Sequence, residues 1–92
     1  MIKSYRDKDS ESLANSRYVK KFDAIQDSGR RKLEILKAAN GLSDLAVVPG
    51  NRLEALRGDR EGQYSIRIND QYRICFALEG EDFCNVEITD YH

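Results

Sequence analysis

GQYSIRINDQYRICFALEGEDFCNVEITDYH, residues 62–92, carries the pattern that decides the fold. Tyr64, Ile66 and Ile68 alternate with Ser65, Arg67 and Asn69, and Tyr72, Ile74, Phe76 and Leu78 alternate with Arg73, Cys75 and Ala77. A period of two sends successive side chains to opposite faces of a strand. Each run therefore has one apolar and one polar face. "NDQ" at 69–71 and "EGED" at 79–82 have the polar composition of hairpin connections, and "FCNVEITDYH" supplies a last strand around Val86 and Ile88. The spacing predicts an antiparallel meander.

Upstream of Pro49-Gly50 the period changes. From Tyr18 to Ala39, Phe22, Ile25, Leu33, Leu36 and Ala39 fall largely at helical spacings, with charged residues between them. Gly29 weakens the middle, so one long helix or two shorter ones are expected. Asn40-Gly41 ends the helical run, and Ser43 can cap one turn, "SDLA". "DKDSESLANS" reads as a short helix capped by Asp7 or Asp9, "MIKSY" as a first strand, and "NRLEALRG" as a short strand or irregular edge. Helices first and a meander afterwards indicate an α+β fold whose sheet is covered by helices on one face only. The opposite face, with Arg67 and Arg73, is expected to stay open and to offer phosphate a place to bind.

Ninety-two residues make one domain, 1–92, with room for a modest core. The 40% apolar and 34% charged fractions are those of a folded soluble chain. No apolar run approaches the roughly 20 residues of a membrane span, and "MIKSYRDKDS" lacks the apolar segment of a signal peptide. A cytoplasmic location and no membrane partner are the expectation. Cys75 and Cys84 lack a CxxC spacing and read as small reduced thiols, although a hairpin could set them face to face. With a single histidine, neither a metal nor a cofactor is expected. A net charge of −1 argues against RNA binding by bulk charge. The distribution is uneven, since residues 52–73 hold five arginines against four acids.

P-loop, GxGxxG and HExxH patterns are absent, and "RGDREGQ" reads in isolation as a charged hairpin connection. The residues left to carry chemistry are Glu54, Arg57, Arg73, Asp90, Tyr91 and His92. Three have a bland alternative: a solvated strand arginine for Arg73, an exposed edge carboxylate for Glu54, a gap-filling ring for Tyr91. Burying His92 would also bury the α-carboxylate beside it, which is costly. That carboxylate favours the protonated ring, which suits a general acid.

Taken together, "NRLEALRGDREGQYSIRINDQYRICF" and "VEITDYH" closely resemble the HigB-type toxins of the RelE superfamily, plasmid maintenance system killer proteins of type II toxin–antitoxin pairs. The resemblance rests on Leu53 to Gly62, on Tyr72 to Phe76 and on Asp90 to His92. It implies a RelE-like fold, with an N-terminal strand and two to three helices on one face of a mainly antiparallel twisted sheet of four to five strands. It implies a ribosome-dependent endoribonuclease that cleaves mRNA in the 70S ribosome's 30S A site, against rRNA. A helix-turn-helix antitoxin of the HigA type would hold it inactive. By motif position, Arg73 clamps the scissile phosphate and Arg57 is a second cation, with Arg60 and Arg67 adding phosphate binding. His92 is the general acid, Tyr91 stacks on a base, and Asp90 orients a neighbour or touches ribose. Glu54 stands where some members have histidine and others use glutamate as base, and Leu53 and Leu56 are expected to desolvate it. The near-neutral charge predicts poor cleavage of free RNA. A tag after His92 is expected to lower activity without unfolding the protein. A non-catalytic module that binds RNA and blocks the A site is the alternative, and it has no use for His92 as a proton donor.

Overall fold

The period-two pattern becomes three strands, β2 (Gln63–Arg67), β3 (Tyr72–Glu79) and β4 (Asp82–Asp90), and a two-residue β1 (Glu54–Ala55) adds to the edge of β2. All neighbours are antiparallel, in the order β1-β2-β3-β4. The computed structural model describes residues 1–90, so the expectations for Tyr91 and His92 lie outside the described residues. Ahead of the sheet come α1 (Lys8–Ala14), a 3-10 turn (Lys20–Ile25), α2 (Gln26–Ala38) and α3 (Gly41–Ala46); a second 3-10 turn, Gly58–Arg60, links β1 to β2.

Register follows the alternation. Ile66, Ile74 and Ile88 stand in one row facing the helices, while Ser65, Cys75 and Glu87 form the next row on the opposite, outer face. The pairing shifts between Cys75 and Ala77, and Asn85 takes a positive φ of 52°. This bulge adds a residue to β4, so Phe83 and Val86, an odd number of residues apart, both reach the core. They join Leu13, Phe22, Ile25, Leu33, Leu36, Leu45 and Phe76 in one buried cluster.

The predicted first strand shrinks to two isolated parallel bridges, Ile2 to Phe83 and Tyr5 to Val86. Asp7, not Asp9, caps α1 by accepting from the Ser10 N–H at 2.7 Å. Ser10 is itself buried, and its hydroxyl accepts from the Ile88 N–H at 2.9 Å, tying α1 to β4. At the other end of α1, Arg30 Nε and Lys37 Nζ from α2 donate to the carbonyls of Leu13 and Ala14 at 3.3 and 2.6 Å. Cations there suit both the unsatisfied carbonyls and the helix dipole.

The long helical run breaks at Ile25/Gln26 rather than at Gly29. Phe22 leaves helical geometry (φ −108°, ψ 24°), and Gln26 Nε2 donates to the carbonyls of Val19 and Phe22, both at 2.9 Å. Gly29 instead marks a close approach, because a Cβ there would lie 3.1 Å from Leu13 Cδ2 of α1. Gly41, at φ 76°, opens α3, which is longer than the turn predicted from Ser43. Cys75 is buried, Cys84 half-buried, and both are free thiols.

Candidate functional site

The outer face is not open. Ser65 and Cys75 are fully buried there, where Arg73 Nε bonds Ser65 Oγ and Arg60 from the β1–β2 connection reaches Glu87, the residue opposite Cys75. Asn51 ties the chain ahead of β1 to the edge of β2. Buried itself, it accepts from Lys32 Nζ at 2.6 Å through Oδ1 and from the Arg67 N–H through its carbonyl, and its Nδ2 donates to the Leu45 carbonyl at 3.0 Å. The next residue, Arg52, takes a left-handed φ of 46°, a conformation costing about 1–2 kcal/mol for a residue with a Cβ. That turn aims its carbonyl at Arg73.

Arg73 therefore does not carry a solvated head, as its strand position predicted. Its Nε donates to Ser65 Oγ at 2.7 Å and its Nη2 to the Arg52 carbonyl at 2.8 Å. Nη2 also lies 3.1 Å from Glu54 Oε1, and the Arg73 side chain is only 12% exposed. A guanidinium this far from water needs such a set of acceptors. Glu54, by contrast, is 59% exposed. The leucines beside it do not desolvate its carboxylate; Leu53 packs against the core instead. Glu54 stands opposite Ser65 in register, so base candidate, hydroxyl and guanidinium occupy neighbouring strands of one face.

The other arginines separate by environment. Arg67 faces Arg73 across β2 and β3 and takes Asp70 as its ion partner. Arg60 reaches from the β1–β2 connection to Glu87 on β4, its Nη1 2.6 Å from Oε1, and also donates to Gln63 Oε1 at 3.0 Å. Glu87 Oε1 has no aligned donor, so the Arg60 contact is ionic rather than a directed hydrogen bond. Arg6 lies 3.5 Å from the second oxygen of Glu87, which is only 13% exposed. Arg57, at the start of the Gly58–Arg60 turn, is exposed and makes no ion pair among the described residues. Behind this end of the sheet Lys32 is pushed below the usual lysine range, first by partial burial and then by Arg67 and Arg31.

Asp90 is not part of this cluster. It pairs with Tyr72, whereas Arg73 pairs with Thr89, so Asp90 projects to the helix side. There it accepts from Gln71 Nε2 at 3.2 Å and, with Lys21, Phe22, Tyr72 and Ile88, lines a cleft of about 310 Å³. Sequence reasoning missed Ser65, the Arg52 carbonyl and Lys21. Ser65 was within reach, sharing the polar-face parity of Arg73, but nothing local signals the turn at Arg52. Among the described residues no cluster of His, Cys, Asp or Glu is arranged to hold a metal ion, and no helix is long and apolar enough to cross a membrane.

Helices on one face of a four-stranded antiparallel sheet, with an arginine–carboxylate pair on the other, make this a RelE-like fold. Residues 2–92 match the HigB-like toxin family, described as the RelE-like toxin of the type II toxin–antitoxin system HigB, and the chain belongs to that family. It is similar to Toxin HigB-1 of Vibrio cholerae, 53% identical over 53 residues that make up 58% of this chain and 56% of that protein. An uncharacterized protein of Haemophilus influenzae is 38% identical over 61 residues, 66% of this chain and 60% of that protein. The chain thus spans somewhat more than half the length of these two relatives.

Proposed function

We propose that this protein is the toxin of a type II pair and acts as a ribosome-dependent endoribonuclease, cutting mRNA in the A site of the 70S ribosome. The observation that carries the reading is the Glu54–Arg73 pair at 3.1 Å on the outer face. A phosphate drawn to Arg73 arrives beside a carboxylate able to take a proton. In the reaction the 2′-hydroxyl loses its proton to Glu54 and attacks the adjacent phosphorus. The 5′-oxygen leaves with a proton from His92, giving a 2′,3′-cyclic phosphate and a 5′-hydroxyl. Acid and base each contribute about 10²–10⁴-fold, and charge stabilisation by Arg73, with Arg57 as second cation, contributes more than either. Arg60 and Arg67, each beside a carboxylate partner, add phosphate binding. Tyr91 stacks on a base, and Asp90 acts from the helix side of the same strand end.

Family membership supports the rest of the assignment. A HigA-type helix-turn-helix antitoxin is the neutralising partner, the cytoplasm is the site of action, and no cofactor takes part. With a net charge of −1, the protein relies on the ribosome to present its substrate rather than on bulk attraction to RNA.

Primer extension on a translated reporter mRNA tests this, comparing wild type with Arg73→Ala and His92→Gln. Breaks inside codons for wild type, absent for both variants, are expected. Translation arrest without breaks would replace the nuclease with a module that only occupies the A site.

A further inference from the structure

One row of residues on the outer face crosses all four strands. Glu54 stands opposite Ser65, Ser65 opposite Cys75, and Cys75 opposite Glu87. The row begins and ends on a carboxylate, and the two have opposite surroundings. Glu54 is 59% exposed beside Arg73, whereas Glu87 is 13% exposed with an arginine at each oxygen. The phosphate chemistry above gives the first a task and the second none. A carboxylate this far from water needs cations beside it, and those of Glu87 come from two distant parts of the chain.

Arg6 follows the Tyr5–Val86 bridge, and its own N–H donates to the Val86 carbonyl at 2.9 Å. Backbone bonds therefore already fix that side of Glu87. Arg60 differs, because it belongs to the connection leading into β2, two strands away from β4. Bonds inside that connection run from the Arg60 N–H to the Arg57 carbonyl at 3.3 Å and from the Glu61 N–H to the Gly58 carbonyl at 3.1 Å. Gly58 and Gly62 take positive φ values of 66° and 92°, and nothing lies within 4 Å of a Cβ built on either. Internal bonds set the shape of such a loop, and a bond leaving it sets where it lies on the sheet. The contact of Arg60 Nη1 with Glu87 Oε1, at 2.6 Å, is a bond of the second kind.

From this geometry we infer that Glu87 is a positioning residue: through Arg60 it holds the β1–β2 connection in the place from which Arg57 meets the RNA backbone. The inference rests on the reading of the protein as an RNA-directed toxin with Arg57 as its second cation, and it names what gives that cation its place. Arg57 opens the Gly58–Arg60 turn and is exposed, so the backbone beneath it decides where its charge stands. A cation set in place before RNA arrives spares the entropy of ordering it on binding. Glu87 Oε1 has no aligned donor, so the hold depends on charge more than on direction. An amide of the same shape should release it.

The test is a double-mutant cycle of Glu87→Gln and Arg57→Ala, read as retention on programmed ribosomes over a range of salt. Glu87→Gln is expected to lower the log–log salt slope by up to about one unit, the share of one phosphate contact. In the Arg57→Ala protein it is expected to lower the slope no further. Glu87→Asp keeps the charge and should restore the parent slope, and Arg6→Ala, which leaves the Arg60 contact in place, should keep it. Urea unfolding of each variant ensures that folded proteins are compared. In ¹⁵N-labelled protein, Glu87→Gln is expected to shift the amides of Arg57, Gly58 and Asp59. Additive losses in the cycle, an equal loss for Arg6→Ala, or amide shifts confined to β4 and Arg6 would each overturn the assignment. A parent protein that ignores ribosomes would sink the toxin reading alone, and the amide shifts would still decide whether Glu87 holds the connection.

Discussion

Arg73 reaches Glu54 from a socket: Ser65 holds its Nε, the Arg52 carbonyl holds its Nη2, and the Glu54 carboxylate lies 3.1 Å from that same Nη2. The proposed clamp is fixed and the proposed base is exposed. Glu54→Gln keeps the shape of the pair and removes the proton acceptor. Cleavage is expected to fall by about 10²–10⁴-fold while binding to programmed ribosomes persists. Single-turnover cleavage beside co-sedimentation measures both, and a variant that cuts at the parent rate would remove Glu54 as the base.

Arg57 and Arg60 sit three residues apart and are expected to fail differently. Arg57→Ala removes an exposed cation with no ion partner among the described residues. Stability should stay within about 0.5 kcal/mol, and retention on ribosomes should drop, with a shallower salt dependence. Arg60→Ala leaves Glu87 with Arg6 alone in a half-buried position, a loss of about 1–3 kcal/mol. Urea unfolding and ribosome retention, run side by side, would reverse the assignment if Arg57→Ala were the destabilised variant.

Ser10→Ala is expected to cost about 1–3 kcal/mol, because it strands the buried Ile88 N–H without an acceptor. The urea midpoint should fall with the slope unchanged. A midpoint equal to the parent's would mean that Ser10 contributes nothing to the hold of α1 on β4.

At Gly29 the expected result depends on size. Alanine gains up to about 1 kcal/mol of helix propensity but meets Leu13 Cδ2 at 3.1 Å, a flexible end that can move, so the two effects nearly cancel. Leucine has no such escape and should destabilise by about 1–3 kcal/mol. Thermal melts of the two variants separate these outcomes; a stable Gly29→Leu protein would deny the close contact of α1 and α2.

Much of this was legible. Strict alternation from Tyr64 to Leu78 placed β2, β3 and the core-facing residues, because a half-buried strand leaves its period in the sequence. Asp7 and the Pro49-Gly50 break were readable for similarly local reasons. The outer face was not. Arg60 crosses it from an irregular connection to reach Glu87, and the chain ahead of β1 is held by Asn51, whose contacts with Lys32 and Arg67 are nonlocal. Gly29 looked like a weak point because propensity is local, whereas its reason is a neighbouring helix. Asp90 and Arg73 both belong to the motif, which is linear, and pairing across β3 and β4 sends them to opposite sides. Phe22 read only as core; that Lys21 and Tyr72 share its surroundings is a product of the kink at Phe22.

The bridges from Ile2 to Phe83 and from Tyr5 to Val86, with the bond from Ile88 to Ser10, join residues about eighty positions apart. Such contacts form late, since the entropy of closing the longest loop must be met before they stabilise anything. During synthesis, Ile2 and Tyr5 leave the ribosome long before β4 is translated, and they wait for it to find their places. A nascent chain short of Phe83 has neither bridge, and the strand that follows Arg73 in the sheet is missing. The fold is thus unfinished while β4 is still being read from the message, and the site assembles only once that strand has emerged.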